Sequence, residues 1–234
     1  MPPAQLDRSL IRDLTIFQSM SEEDLDAVLA MAVSRRYAIG ATVFAQGEPA
    51  SEFFALLHGR LKVVQTTPDG QQVVVRHVSP GDIFGIARAM RRTDYPATAS
   101  AVVDSLALVW PSSQWDSFIA RSPVLAMNAL QTVGQRLQDA HTRIRELSTE
   151  EVERRVAHAL LRLVNQAGRK TEDGILIDFP VTRQDIAEMT GTTLHTVSRV
   201  MTSWEAQGLV SSARKKVVVC NAHKLFMLAE RSTD

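Results

Sequence analysis

The chain has 234 residues and is 45% hydrophobic, and its 26 basic and 26 acidic side chains give a formal net charge of zero. This length suits two modest domains. No apolar run approaches the roughly 20 residues that span a bilayer, and residues 1–13 lack the apolar core of a signal peptide. We therefore expect a cytoplasmic protein with no membrane partner. A balanced total charge still permits the local basic face that nucleic-acid binding needs.

The residue types also limit the chemistry. Cys220 is the single cysteine, so it cannot form an internal disulfide. One chain also cannot supply the four thiolates that iron–sulfur clusters usually take. The sequence has no Gly-rich phosphate loop, no His/Cys cluster with metal-ligand spacing and no nucleophile motif. We therefore predict no enzyme, no metal site and no iron–sulfur cluster, and we expect Cys220 to be a small buried hydrophobe in a valine-rich strand.

The first half of the chain changes from helical to β-rich. Residues 7–31 carry a helical pattern, whereas short β-rich runs separated by glycine turns begin near Tyr37. These runs cover residues 41–45, 53–57, 61–66, 72–78, 97–103 and 105–110. The Asp69-Gly70 pair between two of them is a strong hairpin signal. Many short strands at regular spacing predict a barrel or jelly-roll domain over residues 1–122.

A heptad pattern follows, within residues 123–147. Its apolar positions alternate at spacings of four and three among polar neighbours: Ala126, Leu130, Val133, Leu137, Ala140, Ile144 and Leu147. We call the six positions from Leu130 onward the dimer stripe. This is the a/d pattern of a coiled coil. A helix with such a stripe can pack on its own β-roll, but regularity over three heptads favours pairing with a second copy, so we predict a homodimer.

The remaining residues, 148–234, indicate a separate helical domain. Ser148 and Glu151 form a capping-box pattern, which predicts that a new helix begins there after a hinge at residues 147–149. Near the end of the chain, residues 209–212 and 216–220 are β-rich and flank a basic tip. They predict a β-hairpin wing.

Between these features, residues 181–208 predict a helix-turn-helix. Thr182 caps the first helix and Gly191 ends it, while Thr193 caps the second helix and Gly208 ends that one. The buried faces are expected at Ile186, Ala187 and Met189 in the first helix, and at Leu194, Val197, Met201 and Trp204 in the second. In such a unit the second helix lies in the major groove and presents its N-terminal residues to base edges.

TRQDIAEMTG followed by HTVSR resembles the DNA-binding motif of the CRP/FNR family of bacterial transcription regulators. It is closest to the Nnr-type branch, whose members respond to nitric oxide and control denitrification genes. FAQGEPASEFFALLHGRLKV and PGDIFG resemble the cyclic-nucleotide-binding roll of the same family. The resemblance implies an α+β fold with an N-terminal β-roll, a long dimerisation helix and a C-terminal winged helix-turn-helix. It also implies a homodimer that binds a palindromic site on double-stranded DNA and acts with RNA polymerase.

The candidate DNA contacts form two groups. Arg199 lies one turn into the second helix and can make the bidentate bond to guanine O6 and N7, unless it forms a surface salt bridge with Asp185 or Glu188. Ser198 can touch a thymine or the backbone, and His195 replaces the family's usual Glu, as in the Nnr-type branch, so the base that it reads stays open. The resemblance assigns phosphate contacts to Thr182, Arg183, Gln184, Thr193 and Thr196, and the wing adds Lys215 and Lys216.

The sensor region departs from family members that bind cyclic AMP. In those members a Glu takes the ribose hydroxyls and an Arg-Ser pair holds the phosphate. Here Ile86 and Pro96-Ala97 stand in those places, so a bound nucleotide would leave polar groups unpaired. We predict no cyclic-nucleotide binding. The Nnr-type resemblance implies nitric oxide as the signal and haem as a candidate cofactor, whose iron needs an axial side chain. The candidates for that role are Tyr95, His58, His77 and His141.

Two further readings stay open at this point. In the first, apolar side chains fill the vacant nucleotide pocket and leave no room for a small ligand. In the second, the protein is a DNA-binding regulator of constant activity, controlled by its abundance.

Overall fold

The computed structural model describes residues 7–230. The expectation that residues 1–13 lack a signal-peptide core therefore lies partly outside the described residues. The chain divides into two compact units: one contains the residues up to 66 together with 76–139, and the other contains 67–75 together with the residues from 140 onward. Within residues 7–230, no helix is both long enough and apolar enough to cross a membrane.

The first part of the chain contains eight strands and two short helices, and it leads into one long helix. The helices are α1 (Glu22–Ala30), α2 (Trp115–Arg121) and α3 (Pro123–Thr149). The strands are β1 (Val33–Tyr37), β2 (Thr42–Phe44), β3 (Glu52–His58), β4 (Leu61–Thr66), β5 (Gln72–Val78), β6 (Ile83–Phe84), β7 (Thr98–Ala101) and β8 (Ser105–Pro111). Short 3₁₀ turns cover Arg8–Leu10, Thr15–Phe17, Arg88–Met90 and Ser112–Gln114.

These strands form two four-stranded sheets with the orders β1-β8-β3-β6 and β2-β7-β4-β5. Apolar side chains from both sheets form one buried cluster, which includes Phe54. The other face of the first sheet packs with residues of α1, α2 and α3 in a second cluster, which includes Trp110. The predicted β-roll is thereby confirmed, including the hairpin at Asp69-Gly70 between β4 and β5. Gly70 has a φ of +84° there, which suits glycine at a tight turn.

Two strands of the roll were not predicted. Strand β1 is an edge strand of its sheet, and four of its five residues are exposed, so its sequence lacks the alternation of a half-buried strand. Strand β6 has only two residues. The helical pattern expected over residues 7–31 was also too long, since only α1 is an α-helix there. Ser19 has a φ of +62°, which is incompatible with a helix continuing through it. Helix α1 begins after Ser21, whose hydroxyl caps it by accepting from the Asp24 amide at 3.1 Å.

The predicted capping box at Ser148 and Glu151 is wrong. Helix α3 continues through both Ser148 and Thr149, and the Thr149 hydroxyl donates to the Arg145 carbonyl at 2.8 Å within the same helix. The next helix begins after Glu151, whose side chain makes no capping bond. The break between the two helices therefore lies at residues 150–151 and not at the predicted hinge, 147–149.

The second half contains four helices and a four-stranded sheet. The elements are α4 (Val152–Ala167), β9 (Gly168–Thr171), β10 (Gly174–Ile177), α5 (Arg183–Thr190), α6 (Leu194–Ala206), β11 (Val210–Ala213), β12 (Lys216–Val219) and α7 (Ala222–Ala229). The sheet order is β11-β12-β10-β9, and the predicted wing is the antiparallel β11–β12 pair. Cys220 follows β12 rather than lying in it and is half-buried, and its burial raises the pKa of the thiol.

Candidate DNA interface

Helix α5 begins with a complete capping box. The Thr182 hydroxyl accepts from the Asp185 amide at 3.0 Å, and Asp185 Oδ2 accepts from the Thr182 amide at 2.9 Å. Gly191 ends the helix in the left-handed conformation, with a φ of +60°. Ile186, Ala187 and Met189 are buried as predicted. These local signals fix the length of the first helix and the tight turn that follows it.

Helix α6 is held by its cap and by a buried aromatic side chain. Thr193 accepts from the Thr196 amide at 3.2 Å, and Val197, Met201 and Trp204 are buried. The Trp204 indole also donates to Glu153 Oε1 at 2.7 Å, which attaches α6 to α4. The expectation that Leu194 would be buried is wrong, because its side chain is 47% exposed. As the first residue of α6, it lies beyond the contact that Val197 and Met201 make with the core.

The exposed side of α6 carries the predicted base-reading residues. His195 and Arg199 are exposed, and Ser198 is half-buried between them. Among residues 7–230, Arg199 makes no hydrogen bond or ion pair. The alternative salt bridges are not formed: Asp185 is engaged in the capping box, and Glu188 accepts from the Gln184 amide at 2.9 Å. The Arg199 guanidinium is therefore free to meet a ligand.

A basic cleft of about 340 Å³ lies between the start of α5 and the wing. We call it the wing cleft, and its basic lining residues are Arg183, Arg214, Lys215 and Lys216. The Val181 amide donates to the Lys215 carbonyl at 3.1 Å, which ties the tip of the wing to the entrance of α5. Lys215 has a φ of +61° at this tip. Positive charge from the start of α5 and from the wing is therefore gathered at one surface.

Some predicted phosphate contacts are already engaged within the chain. Arg183 donates to Glu205 Oε1 at 3.1 Å and to the Ser212 hydroxyl at 3.2 Å, so it also connects α5 to α6 and to the wing. The Thr182 hydroxyl is taken up by the capping box. The hydroxyls of Thr193 and Thr196 lie 3.0 Å apart and bond each other. Sequence reasoning missed the part that Glu205 plays, because its partner is 22 positions away.

The dimer stripe is largely exposed on the single chain. Leu130 is 64%, Leu137 is 54% and Ile144 is 60% exposed, and a row of large apolar side chains left uncovered in this way is typical of an interaction surface. Ala140 and Leu147 are exposed as well. Val133 differs, because it packs against the core of its own roll. The alternative of packing on the roll thus holds for Val133, while the larger stripe residues are left uncovered.

Aromatic side chains fill the interior of the roll beside the expected nucleotide anchors. Tyr95 stacks on Phe44 with their ring centroids 4.0 Å apart, and Phe54 stacks on Phe84 at 4.9 Å. The Tyr95 hydroxyl donates to the Glu52 carbonyl at 2.7 Å and accepts from the Glu52 amide at 3.1 Å. Burial raises the pKa of Tyr95. Both hydrogen-bonding roles of this hydroxyl are therefore used within the protein.

The four candidate axial ligands are scattered over different environments. Tyr95 belongs to the aromatic stack, and His77 is buried. His58 is exposed and borders an open cleft of about 440 Å³ next to Arg36 and Asp104. His141 is exposed on α3. The four side chains thus have four different environments, and among residues 7–230 no three His, Cys, Asp or Glu side chains are grouped to hold a metal ion.

Comparisons with known proteins match both halves of the chain. The model of the cyclic nucleotide-binding domain matches residues 34–122, and that of the Crp-like helix-turn-helix domain matches residues 154–227. The Cyclic AMP receptor protein of Thermus thermophilus is 29% identical over 214 residues, which are 92% of this chain and 96% of that protein. The transcriptional activator protein FnrA of Stutzerimonas stutzeri is 25% identical over 92% of this chain and 88% of its own. These relatives are transcription regulators and not enzymes.

Solved structures share the fold. FixK2 from Bradyrhizobium japonicum superposes with a TM-score of 0.75 at 22% identity, over 86% of this chain and 99% of its own. A putative cyclic nucleotide binding protein from Ruegeria pomeroyi is 27% identical, with a TM-score of 0.63 over 96% of this chain and 97% of its own. The arrangement of a β-roll, a long helix and a C-terminal helix-turn-helix is thus common to this chain and to these proteins.

Proposed function

We propose, from the premise that this chain belongs to the CRP/FNR family of DNA-binding transcription regulators, that it acts as a homodimer on a palindromic DNA site. One observation carries the proposal: the N-terminal half of α6 presents His195, Ser198 and an unpaired Arg199 on an open surface. An arginine at this place on a recognition helix can bind guanine O6 and N7 together. The wing cleft of the same domain supplies positive charge for the phosphate backbone.

The exposed dimer stripe supports pairing of two chains. A coiled coil formed along α3 would cover Leu130, Leu137 and Ile144, which the single chain leaves exposed. A two-fold dimer reads a site whose two halves are related by the same symmetry and lie about one helical turn apart. Transcription control would then require contact with RNA polymerase, as the family resemblance implies.

The roll supports a regulator that does not respond to cyclic AMP. Ile86 is buried where a ribose-binding acid would be needed, and Pro96-Ala97 offers no arginine for a phosphate. The stack of Tyr95 on Phe44 occupies the neighbouring interior. We expect saturating cyclic AMP to leave the melting temperature and the DNA affinity unchanged. A clear rise in melting temperature with cyclic AMP would contradict this part of the proposal.

We also propose nitric oxide as an input, on the strength of the Nnr-type resemblance at His195. Haem would supply an iron centre that binds nitric oxide. Of the candidate ligands, only His58 and His141 are exposed imidazoles, whereas Tyr95 has its hydroxyl committed to Glu52. Absorption spectra of the chain mixed with haem, with and without nitric oxide, test this input. If the spectrum of the mixture is that of free haem, haem-based sensing of nitric oxide is wrong, and constant activity becomes the better account.

The experiment that tests the DNA function is selection of bound sequences from a random duplex pool at a fixed salt concentration. We expect an inverted repeat with one invariant guanine in each half-site. The Arg199→Ala variant, selected in parallel, should lose that guanine and keep the symmetry. Enrichment of no common sequence by the wild-type chain would refute the sequence-specific regulator.

A further inference from the structure

Two arginines converge on a single carbonyl oxygen in the roll half of the chain. Arg76 of β5 donates from Nη2 to the Ile83 carbonyl at 3.3 Å, and Arg136 of α3 donates to the same oxygen. The two cationic head groups are therefore immediate neighbours, although they come from a strand and a helix 60 positions apart in the sequence. Like charges held together in this way need a compensating anion.

Asp82 compensates only part of this charge. Its Oδ2 atom lies 3.5 Å from Arg76 Nη1, which is longer than a charge-assisted hydrogen bond, and it also accepts from the Ser79 amide at 2.8 Å. Among residues 7–230, Arg136 forms no ion pair, and its hydrogen bond goes to the uncharged Ile83 carbonyl. The group thus holds two guanidinium charges against one carboxylate.

The cluster formed by Arg76, Arg136 and Asp82 is partly buried yet reachable from solvent. The Arg76 side chain is 23% exposed and that of Asp82 is 40% exposed. Burial and the neighbouring Arg76 lower the pKa of Arg136 to about 10, and burial also lowers the pKa of Arg76. Both pKa values fall because the surroundings of the two arginines disfavour a positive charge. A bound anion would remove that penalty.

We infer that Arg76 and Arg136 form a binding site for a small oxyanion, either a carboxylate or a phosphate group. A guanidinium presents its donors in a planar fork that matches the oxygens of both groups. Its residues are not those at Pro96-Ala97, the place where family members that bind cyclic AMP hold the nucleotide phosphate. A bound oxyanion would bridge β5 and α3 through these two side chains.

The position of Arg136 gives this site a route to regulation. Arg136 directly precedes Leu137 of the dimer stripe, so an anion that fixes Arg136 also restricts the middle of α3. This regulatory step rests on the proposed function, because it acts by favouring one arrangement of the paired helices over another. Binding of the anion does not rest on that function and can be measured without DNA.

The test compares sodium phosphate, sodium succinate and sodium chloride at equal ionic strength, with the full chain, by thermal denaturation and by titration calorimetry. We expect phosphate or succinate to raise the melting temperature above the chloride value and to give a saturable binding isotherm. A response to succinate alone identifies a carboxylate ligand, and a response to phosphate alone identifies a phosphate ligand. If neither anion exceeds chloride, the site is refuted.

Variants separate this site from general charge effects. Arg136→Gln should weaken the anion at least tenfold, whereas Arg92→Gln, which removes an exposed arginine paired with Asp94, should bind as the wild type does. If Arg136→Gln fails to fold, Arg136→Lys keeps the charge but loses the fork, and it should still bind several-fold more weakly. Undiminished binding by a folded Arg136 variant would overturn the assignment. Anion binding that leaves DNA affinity unchanged would support the site and refute its regulatory role.

Discussion

Gly191 and Leu147 are in close contact, although one lies in the turn of the helix-turn-helix and the other near the end of α3. A Cβ atom placed on Gly191 would lie 3.0 Å from Leu147 Cδ2, which is tighter than ordinary van der Waals contact. Gly191 also has a φ of +60°, a conformation that costs other residues free energy. The positive φ therefore favours glycine at this turn, and an added Cβ would also have to displace the end of the Leu147 side chain.

Gly191→Ala should destabilise the chain by roughly 1–2 kcal/mol, because alanine is strained in the left-handed region. Urea denaturation followed by circular dichroism measures the change in the free energy of unfolding. We expect a weakened affinity for DNA as well, since α6 begins three residues later.

Gly134→Ala provides the matched control. Gly134 lies within α3, has no positive φ, and a Cβ there would meet nothing within 4 Å. Alanine should stabilise this helix position by up to about 1 kcal/mol. If both variants change stability in the same direction, the geometric argument for Gly191 is wrong.

Arg199→Ala should remove discrimination at one guanine in each half-site. The loss should be roughly 1–3 kcal/mol, measured as the ratio of affinities for the selected site and for a site with that guanine replaced. Stability should not change, because the side chain is exposed and makes no hydrogen bond or ion pair within the described part of the chain.

Lys216→Ala tests the role of the wing cleft, and its expected effect on DNA binding differs from that of Arg199→Ala. Its loss should weaken binding about equally on all sequences and lower the slope of log affinity against log salt by about 1, because Lys216 is assigned to a phosphate. A change of base preference in Lys216→Ala would contradict the assignment of Lys216 to a phosphate. An unchanged base preference in Arg199→Ala would contradict the assignment of Arg199 to a guanine.

Leu194 offers a prediction that the sequence alone did not. A leucine that is 47% exposed at the N-terminus of the recognition helix is placed to touch the methyl group of a thymine, the apolar contact of the major groove. Leu194→Ser should reduce preference for a thymine in the selected site by roughly 1 kcal/mol. Competition between thymine and uracil at that position, which differ by the methyl group, measures the effect. Equal affinity of the wild type for both bases would exclude the contact.

Leu137→Glu should convert the dimer into monomers. The side chain is 54% exposed on the single chain, so the fold should survive, but two buried carboxylates would face each other in a coiled coil. Sedimentation velocity measures the mass. Gln138→Glu adds the same charge at the next exposed position, outside the stripe, and should remain dimeric. A dimeric Leu137→Glu variant would show that α3 is not the interface.

The recognition motif was predictable because its signals are local. Thr182 and Thr193 as caps, and Gly191 as the terminator, determine the bounds of α5 and α6 within a few residues of themselves. The roll was predictable from repeated short β-rich runs. By contrast, Ser148 and Glu151 have the spacing of a capping box, yet the preceding helix runs through Ser148, because its hydrogen-bond ladder continues to Thr149.

Features that depend on distant partners were not predictable. The ion pair of Arg183 with Glu205, the stack of Tyr95 on Phe44 and the convergence of Arg76 with Arg136 each join residues at least 22 positions apart. No local periodicity encodes such contacts. Leu194 fits the apolar spacing of α6 but lies at its first position, where the core no longer reaches.

The uncovered apolar side chains along α3 have a consequence for gene dosage. If two copies must meet before either can hold an operator, and most chains are single and most operators are empty, the amount of loaded operator rises with the square of the chain's abundance. Halving synthesis then lowers operator occupancy roughly fourfold. A modest change in expression of this chain would become a steep change in the output of every promoter that it controls.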